Sequence, residues 1–250
     1  MSGHSKWSTI KHKKAAEDVK RGKAFTRAAK EVTLAAREGG GDPEFNPRLR
    51  LAIDKAKAVN MPKDNIERAI KRGTGELEGA ELFELMYEGY APHGIGLLIE
   101  VVTDNKNRSV AEIRSALNKS EGSMATSGAV SWQFTRKGYI EVKEYEDQDE
   151  LFLIAADAGA DDLEFSEGVA SIYSDPANMQ AVRNALEEAG LTVDEVQLVY
   201  EPNNPMVLDT RAALQVLSLI DKLDDLDDVQ NVYSALDLSD EVMAAVAAAE

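Results

Sequence analysis

Lys6, Lys11, Lys13 and Lys14 alternate with His4, Trp7 and His12 at the start of the chain. That mixture suits a polyanion, because ammonium groups neutralise phosphates while indole and imidazole rings stack on exposed bases. Lys20, Arg21, Lys23, Arg27 and Lys30 extend the same surface along the helix predicted to follow. They are spread round that helix, so part of them should face solvent without contact. The plainer reading is a solvated helix start that Trp7 anchors to a core. Other chemistry is hard to assemble. His4 and His12 lie on an arm expected to be mobile, where no general base would be held in register. His93 sits in a Pro-His-Gly turn, a setting that usually serves structure. The chain has no cysteine, hence no disulfide, thiolate metal site or thiol nucleophile. The glycines at 39–41 lack the Lys-Ser/Thr of a phosphate loop and follow a helix rather than a strand. Asp224, Asp225, Asp227 and Asp228 have the oxygen chemistry of a hard-cation site but not the glycine and distal glutamate of a calcium loop, so a solvated turn is the simpler expectation. The cluster would otherwise suit a basic protein. The expectation is a non-enzymatic chain without cofactor or metal.

Charge divides the chain in two. Residues 1–75 hold 18 Lys and Arg against 9 Asp and Glu, and the remainder holds 10 against 36, so an overall charge of −17 conceals a basic head. The acidic remainder repels whatever polyanion the head attracts, which confines contact to one end. With 250 residues, 44% hydrophobic residues and only 17 Gly and 7 Pro, the chain is folded, core-forming material. No run approaches the roughly 18 apolar residues of a membrane span, and Glu17 and Asp18 interrupt the cationic stretch that a transit peptide would need. A soluble cytoplasmic protein is expected.

The elements that must position these residues follow from periodicity. Val19, Phe25, Ala29, Val32 and Ala36 make a helical stripe that the triple glycine ends. Asn46 caps a second helix with Pro47 in its first turn and Leu49, Ile53, Ala56 and Val59 on one face. Pro62 opens a third, carrying Ile66, Ala69 and Ile70 and stopping at Gly73. Past an acidic linker at 74–81 the period becomes alternating, with strands predicted at 85–90, 97–103, 129–134, 139–142, 169–173, 193–200 and 229–236. Helices are predicted from a cap at Asn107, over 150–158, from Asp175 and Pro176 to Gly190, and over 209–223. If 163–165 is a short strand, residues 139–200 read β-α-β-β-α-β, the ferredoxin-like order. Residues 82–134 and 206–238 then complete a second sandwich. The fold class is α+β multidomain: a three-helix domain over 1–75, a discontinuous α/β domain over 82–134 and 206–238, and a ferredoxin-like domain over 139–200. The helix pair joined at Asn60 and Met61 looks superficially like a helix-turn-helix presenting Asn65, Arg68, Lys71 and Arg72. Such pairs are common in helical domains, so base reading through it is a weak signal. Arg48, Arg50, Lys55 and Lys57 would equally supply phosphate contacts.

Long ordered strings carry a resemblance. GHSKWSTIKHKKAA (3–16), KRGKAFT (20–26), GGGDPEFNPRLR (39–50), NMPKDNIERAIKRGTG (60–75), YEGYAPHGIG (87–96), TDNKNRSVAEIR (103–114) and LDDLDDVQNVY (223–233) resemble the YebC/PmpR family over essentially the whole chain. The chain departs from many relatives at Ala91 and His93, where glycines are usual, and at Trp132. The resemblance implies a helical N-terminal domain followed by two α/β domains. Functionally it implies a transcriptional regulator that binds DNA, or, as with the mitochondrial relatives, a ribosome-associated translation factor. The expected reading is a nucleic-acid-binding regulator of gene expression acting on DNA, with a translation factor binding ribosomal RNA as the alternative. Expected partners are the nucleic acid and, with it, the transcription machinery or the ribosome, with no membrane; the sequence leaves the oligomeric state open.

Overall fold

The structure is a computed structural model that describes residues 17–166 and 168–248. The head holds α1 (Glu17–Gly39), α2 (Pro47–Ala58) and α3 (Lys63–Gly73). Val32, Ala35 and Ala36 of α1 bury against Leu49, Ala52 and Ala56 of α2 and Ile66 and Ala69 of α3. Asn46 is the buried clamp between the first two helices. Its side-chain oxygen accepts from Leu49 N at 3.0 Å, and its Nδ2 donates to the carbonyls of Ala35 and Gly40. Both polar atoms of its side chain therefore have partners, which burial requires. Gly73 marks the crossing of α3 over α1: a Cβ there would lie 2.4 Å from the Thr33 carbonyl oxygen, so only glycine permits the approach.

The middle domain opens with the hairpin β1 (Phe83–Tyr90) and β2 (Gly96–Thr103), followed by α4 (Lys106–Lys119) and β3 (Ser123–Met124). The chain then leaves for the third domain, β4 (Phe134–Val142), α5 (Gln148–Asp157), β5 (Ala160–Ser166), β6 (Val169–Ser174), α6 (Met179–Glu188) and β7 (Glu195–Pro202). It returns through β8 (Met206–Val207), α7 (Thr210–Asp224), β9 (Val229–Ser234), β10 (Leu236–Asp237) and α8 (Asp240–Ala248). The third domain has strand order β5-β6-β4-β7, all antiparallel, which is the ferredoxin-like arrangement. The middle sheet runs β3-β1-β2-β9, so the returning segment supplies an edge strand and the domain is discontinuous. Helix α7 seals it, burying Ala213, Val216, Leu217, Ile220 and Leu223 against β2 and β9.

Two local expectations are corrected and one helix is added. Residues 129–133 do not form a strand; Ser131–Gln133 is a 3-10 turn, and one continuous strand runs from Phe134 to Val142 in the third domain. The cause is Glu88, whose carboxylate takes the N–H groups of Gly128, Val130 and Ser131 and removes them from any ladder. Helix α4 is capped by Asn105, not Asn107, because Asn105 is the extended residue whose side chain accepts from Arg108 N. Helix α8 has no counterpart in the sequence reading; it buries Val242 and Val246 in the middle core.

Candidate nucleic-acid interface

Lys6, Trp7, Lys11, His12, Lys13 and Lys14 lie outside the described residues. Lys20 and Arg21 fall on α1, with side chains that are also outside the description. The remaining three candidates are on view, and they face inward to the acidic turn at 224–228. Lys23 Nζ donates to the Asp225 carbonyl at 2.6 Å and stands 3.5 Å from its carboxylate. Arg27 Nη2 donates to the Asp224 carbonyl. Lys30 Nζ reaches the carbonyls of Val102 and Asp227 at 3.0 and 3.2 Å and the Asp228 carboxylate at 2.8 Å. The aspartates that the sequence reading weighed as a solvated turn or a foreign protein's contact thus meet this chain's own basic helix.

Asp228 is the deepest of these groups. Its Oδ1 takes Lys30, and its Oδ2 takes Thr103, Arg108 and Ser109. Burial alone would raise this carboxyl, but the hydrogen bonds from Lys30, Arg108 and Ser109 outweigh it and hold the group at about 2. Sequence reasoning did not single out Thr103, Arg108 and Ser109, which hold this carboxylate. Their signal was present, since they sit together in TDNKNRSVAEIR and Asp228 in LDDLDDVQNVY, two of the strings that carried the resemblance.

Most other head cations are also engaged. Arg48 bridges Glu38 and Glu84, Lys55 pairs with Glu31 at 3.3 Å, and Lys57 approaches Asp54. Arg50 donates to the carbonyls of Pro43 and Glu44. The exception is the outer face of α3, where Arg68, Lys71 and Arg72 are exposed and make no ion pair among the described residues. Between the three domains lies a cleft of about 1230 Å³ whose walls mix Lys55, Lys143 and Arg183 with Glu100, Glu141 and Glu195. Around Lys55, Lys143 and Arg183 the alternating sign does not favour a polyanion; Lys23, Arg27, Asp224 and Asp225 line the same cleft at the contact of α1 with the turn.

His93 has φ 63 and hydrogen-bonds Gln215 through Nε2 at 2.8 Å. Among the described residues no three His, Asp or Glu side chains converge as a metal-ligand set. No described helix is long and apolar enough to cross a membrane.

Comparison with known proteins accords with this architecture. Residues 5–76 match the family model of the TACO1/YebC protein N-terminal domain, and residues 82–236 that of the TACO1/YebC second and third domain. A protein of Petrotoga mobilis named probable transcriptional regulatory protein is 55% identical over 250 residues, 99% of each chain. One of the same description from Geobacter sulfurreducens is 53% identical over 243 residues, 97% of this chain and 98% of its own. The crystal structure of a conserved hypothetical protein from Aquifex aeolicus, 42% identical, superposes with a TM-score of 0.84 over 90% of this chain and 94% of that one. With both family models matched in order, and relatives aligned end to end, the chain belongs to the TACO1/YebC family.

Proposed function

We propose that this chain is a non-enzymatic, cytoplasmic regulator of gene expression that binds duplex DNA through its basic head. The observation that carries the reading is the α3 face: Arg68, Lys71 and Arg72 point into solvent while neighbouring head cations such as Arg48 and Lys55 are paired. Unpaired surface cations on one side of a helix are what phosphate contacts require, and their counterion release drives association. The description of the relatives as probable transcriptional regulatory proteins supports DNA as the target. The acidic remainder orients the encounter by repelling the duplex from the other domains. A transcriptional regulator must also prefer its site over competing duplex, typically by about 10³-fold or more at physiological salt. Competition between a promoter fragment and scrambled duplex tests this. Binding without any promoter preference, together with salt-sensitive co-sedimentation with ribosomes, would sink the DNA reading.

One sequence feature favours ribosomal RNA instead. Trp7 lies among the lysines of the arm, and an indole stacks on unpaired bases that a duplex does not offer. If RNA is the target, Trp7→Ala weakens binding to looped RNA by about 1–3 kcal/mol and leaves duplex affinity alone. Equal, small losses on both would dismiss the stacking role.

A further inference from the structure

The contact between α1 and the 224–228 turn is graded. At its inner end Lys30 and Asp228 are 16% and 5% exposed, with every charged atom partnered. At its outer end Lys23 and Asp225 are 32% and 75% exposed and 3.5 Å apart, a geometry that water and salt weaken readily. Between them Arg27 is held by one carbonyl, and its Nε is buried with no hydrogen-bond partner among the described residues. A guanidinium satisfied on one side only is poorly served, whereas a phosphate would take Nε and Nη2 together in the two-pronged geometry arginine prefers.

We propose that the 224–228 turn is an intramolecular stand-in for nucleic-acid phosphate, occupying Lys23 and Arg27 in the free chain and yielding them to a polyanion. The inference rests on the nucleic-acid reading above and adds regulation to it. The α3 face makes the first contact, since its cations are already exposed. Phosphates further along the strand then compete with the Asp225 carboxylate and the Asp224 carbonyl for the outer two cations. Lys30 stays on Asp228 and acts as the pivot. The partner's chemistry is a run of phosphodiesters rather than a single anion, because only a polymer already anchored at α3 presents a second phosphate at high local concentration. The closed turn therefore lowers the affinity for short or weakly charged anions and discriminates in favour of long ones.

The test compares Asp224→Asn/Asp225→Asn/Asp227→Asn, which leaves Asp228 in place, with a control of equal charge change on exposed residues of the third domain, Glu146→Gln/Asp149→Asn/Asp157→Asn. Duplex DNA is titrated across a salt series. Both variants gain affinity from reduced repulsion. In the wild type the Asp225 carboxylate that the duplex displaces from Lys23 takes up a cation and offsets part of the counterion release, whereas the turn variant has no carboxylate there, so its slope of log affinity against log salt steepens by about 1, at roughly 0.9 per charge. Identical gains and identical slopes in the two variants overturn the proposal. A second measurement needs no substitution. Zero-length carbodiimide coupling joins Lys23 to Asp225 in the free protein, and saturating duplex suppresses that product while sparing Lys137 to Asp161, a pair 2.5 Å apart in the third domain. Persistence of the Lys23–Asp225 product under saturating duplex also overturns it. The two levels of inference separate cleanly: wild type and turn variant both failing to bind removes the nucleic-acid reading and the clasp together, whereas binding with unchanged slope and coupling removes the clasp alone.

Discussion

Lys30 of the basic head and Asp228 of the acidic remainder meet at 2.8 Å in a site almost closed to solvent, where the chain's opposite charges are joined. The same carboxylate holds Arg108 Nη2 at 2.7 Å, so one aspartate links α1, the end of β2 and the start of α4. Asp228→Asn leaves two cations facing a neutral amide. Removing one partner of a buried ion pair costs about 3–5 kcal/mol, and the exposed flank of Arg108 places this case near the lower bound. Urea unfolding should show the midpoint falling while its slope with denaturant is kept.

The acid dependence of stability carries the same signature. An unfolded aspartate titrates near ~3.9, and Asp228 in the folded chain is held at about 2. The folded value is the lower one, so the unfolded chain binds more protons in this window and folding loses support as pH drops. The contribution is complete above about pH 4 and is gone once the pH falls through 2. After allowance for solvent around Lys30 and Arg108 it amounts to about 1–2 kcal/mol. Stability measured from pH 5 to 2 should therefore fall less steeply in Asp228→Asn than in the wild type; parallel curves would remove Asp228 as the cause.

Glu88 performs a local task that can be isolated. Burial pushes its carboxyl up, but the three backbone N–H groups of Gly128, Val130 and Ser131 bring it below the ordinary range. In Glu88→Gln one side-chain NH2 must face those donors, leaving at least one buried group unpaired at a cost of about 1–3 kcal/mol. Amide exchange should accelerate at Gly128, Val130 and Ser131 before it does so in β2.

The outer face of α3 gives the cleanest binding prediction, because its cations contribute little to folding. Arg68→Ala/Lys71→Ala should change stability by less than about 0.5 kcal/mol per site. If each contacts one duplex phosphate, the salt slope flattens by about 2 in total. A slope equal to that of the wild type would show that duplex DNA does not rest on α3.

Much of the fold is legible in the residues. The stripe through Val32 and Ala36, the cap at Asn46, the stop at Gly73 and the alternation over 169–173 are local patterns, set by 3.6- and 2-residue periods that act over a few neighbours. They determine the helical head, the ferredoxin-like order of the third domain and the charge asymmetry. What fails is whatever a distant side chain decides. The alternation at 129–134 reads as a strand, but Glu88, some forty residues earlier, takes the backbone donors that a strand would need. Lys23, Arg27 and Lys30 read as a phosphate-binding face, and by residue type they are one. Their occupation by the 224–228 turn depends on a separation of about 200 positions along the chain, which only the return of α7 and β9 to the middle sheet closes. Sequence alone determined that this protein has a basic head and an acidic body; the tertiary structure decided which cations the body takes for itself and which it leaves to solvent, because ion pairing depends on distance in space and not on order along the chain.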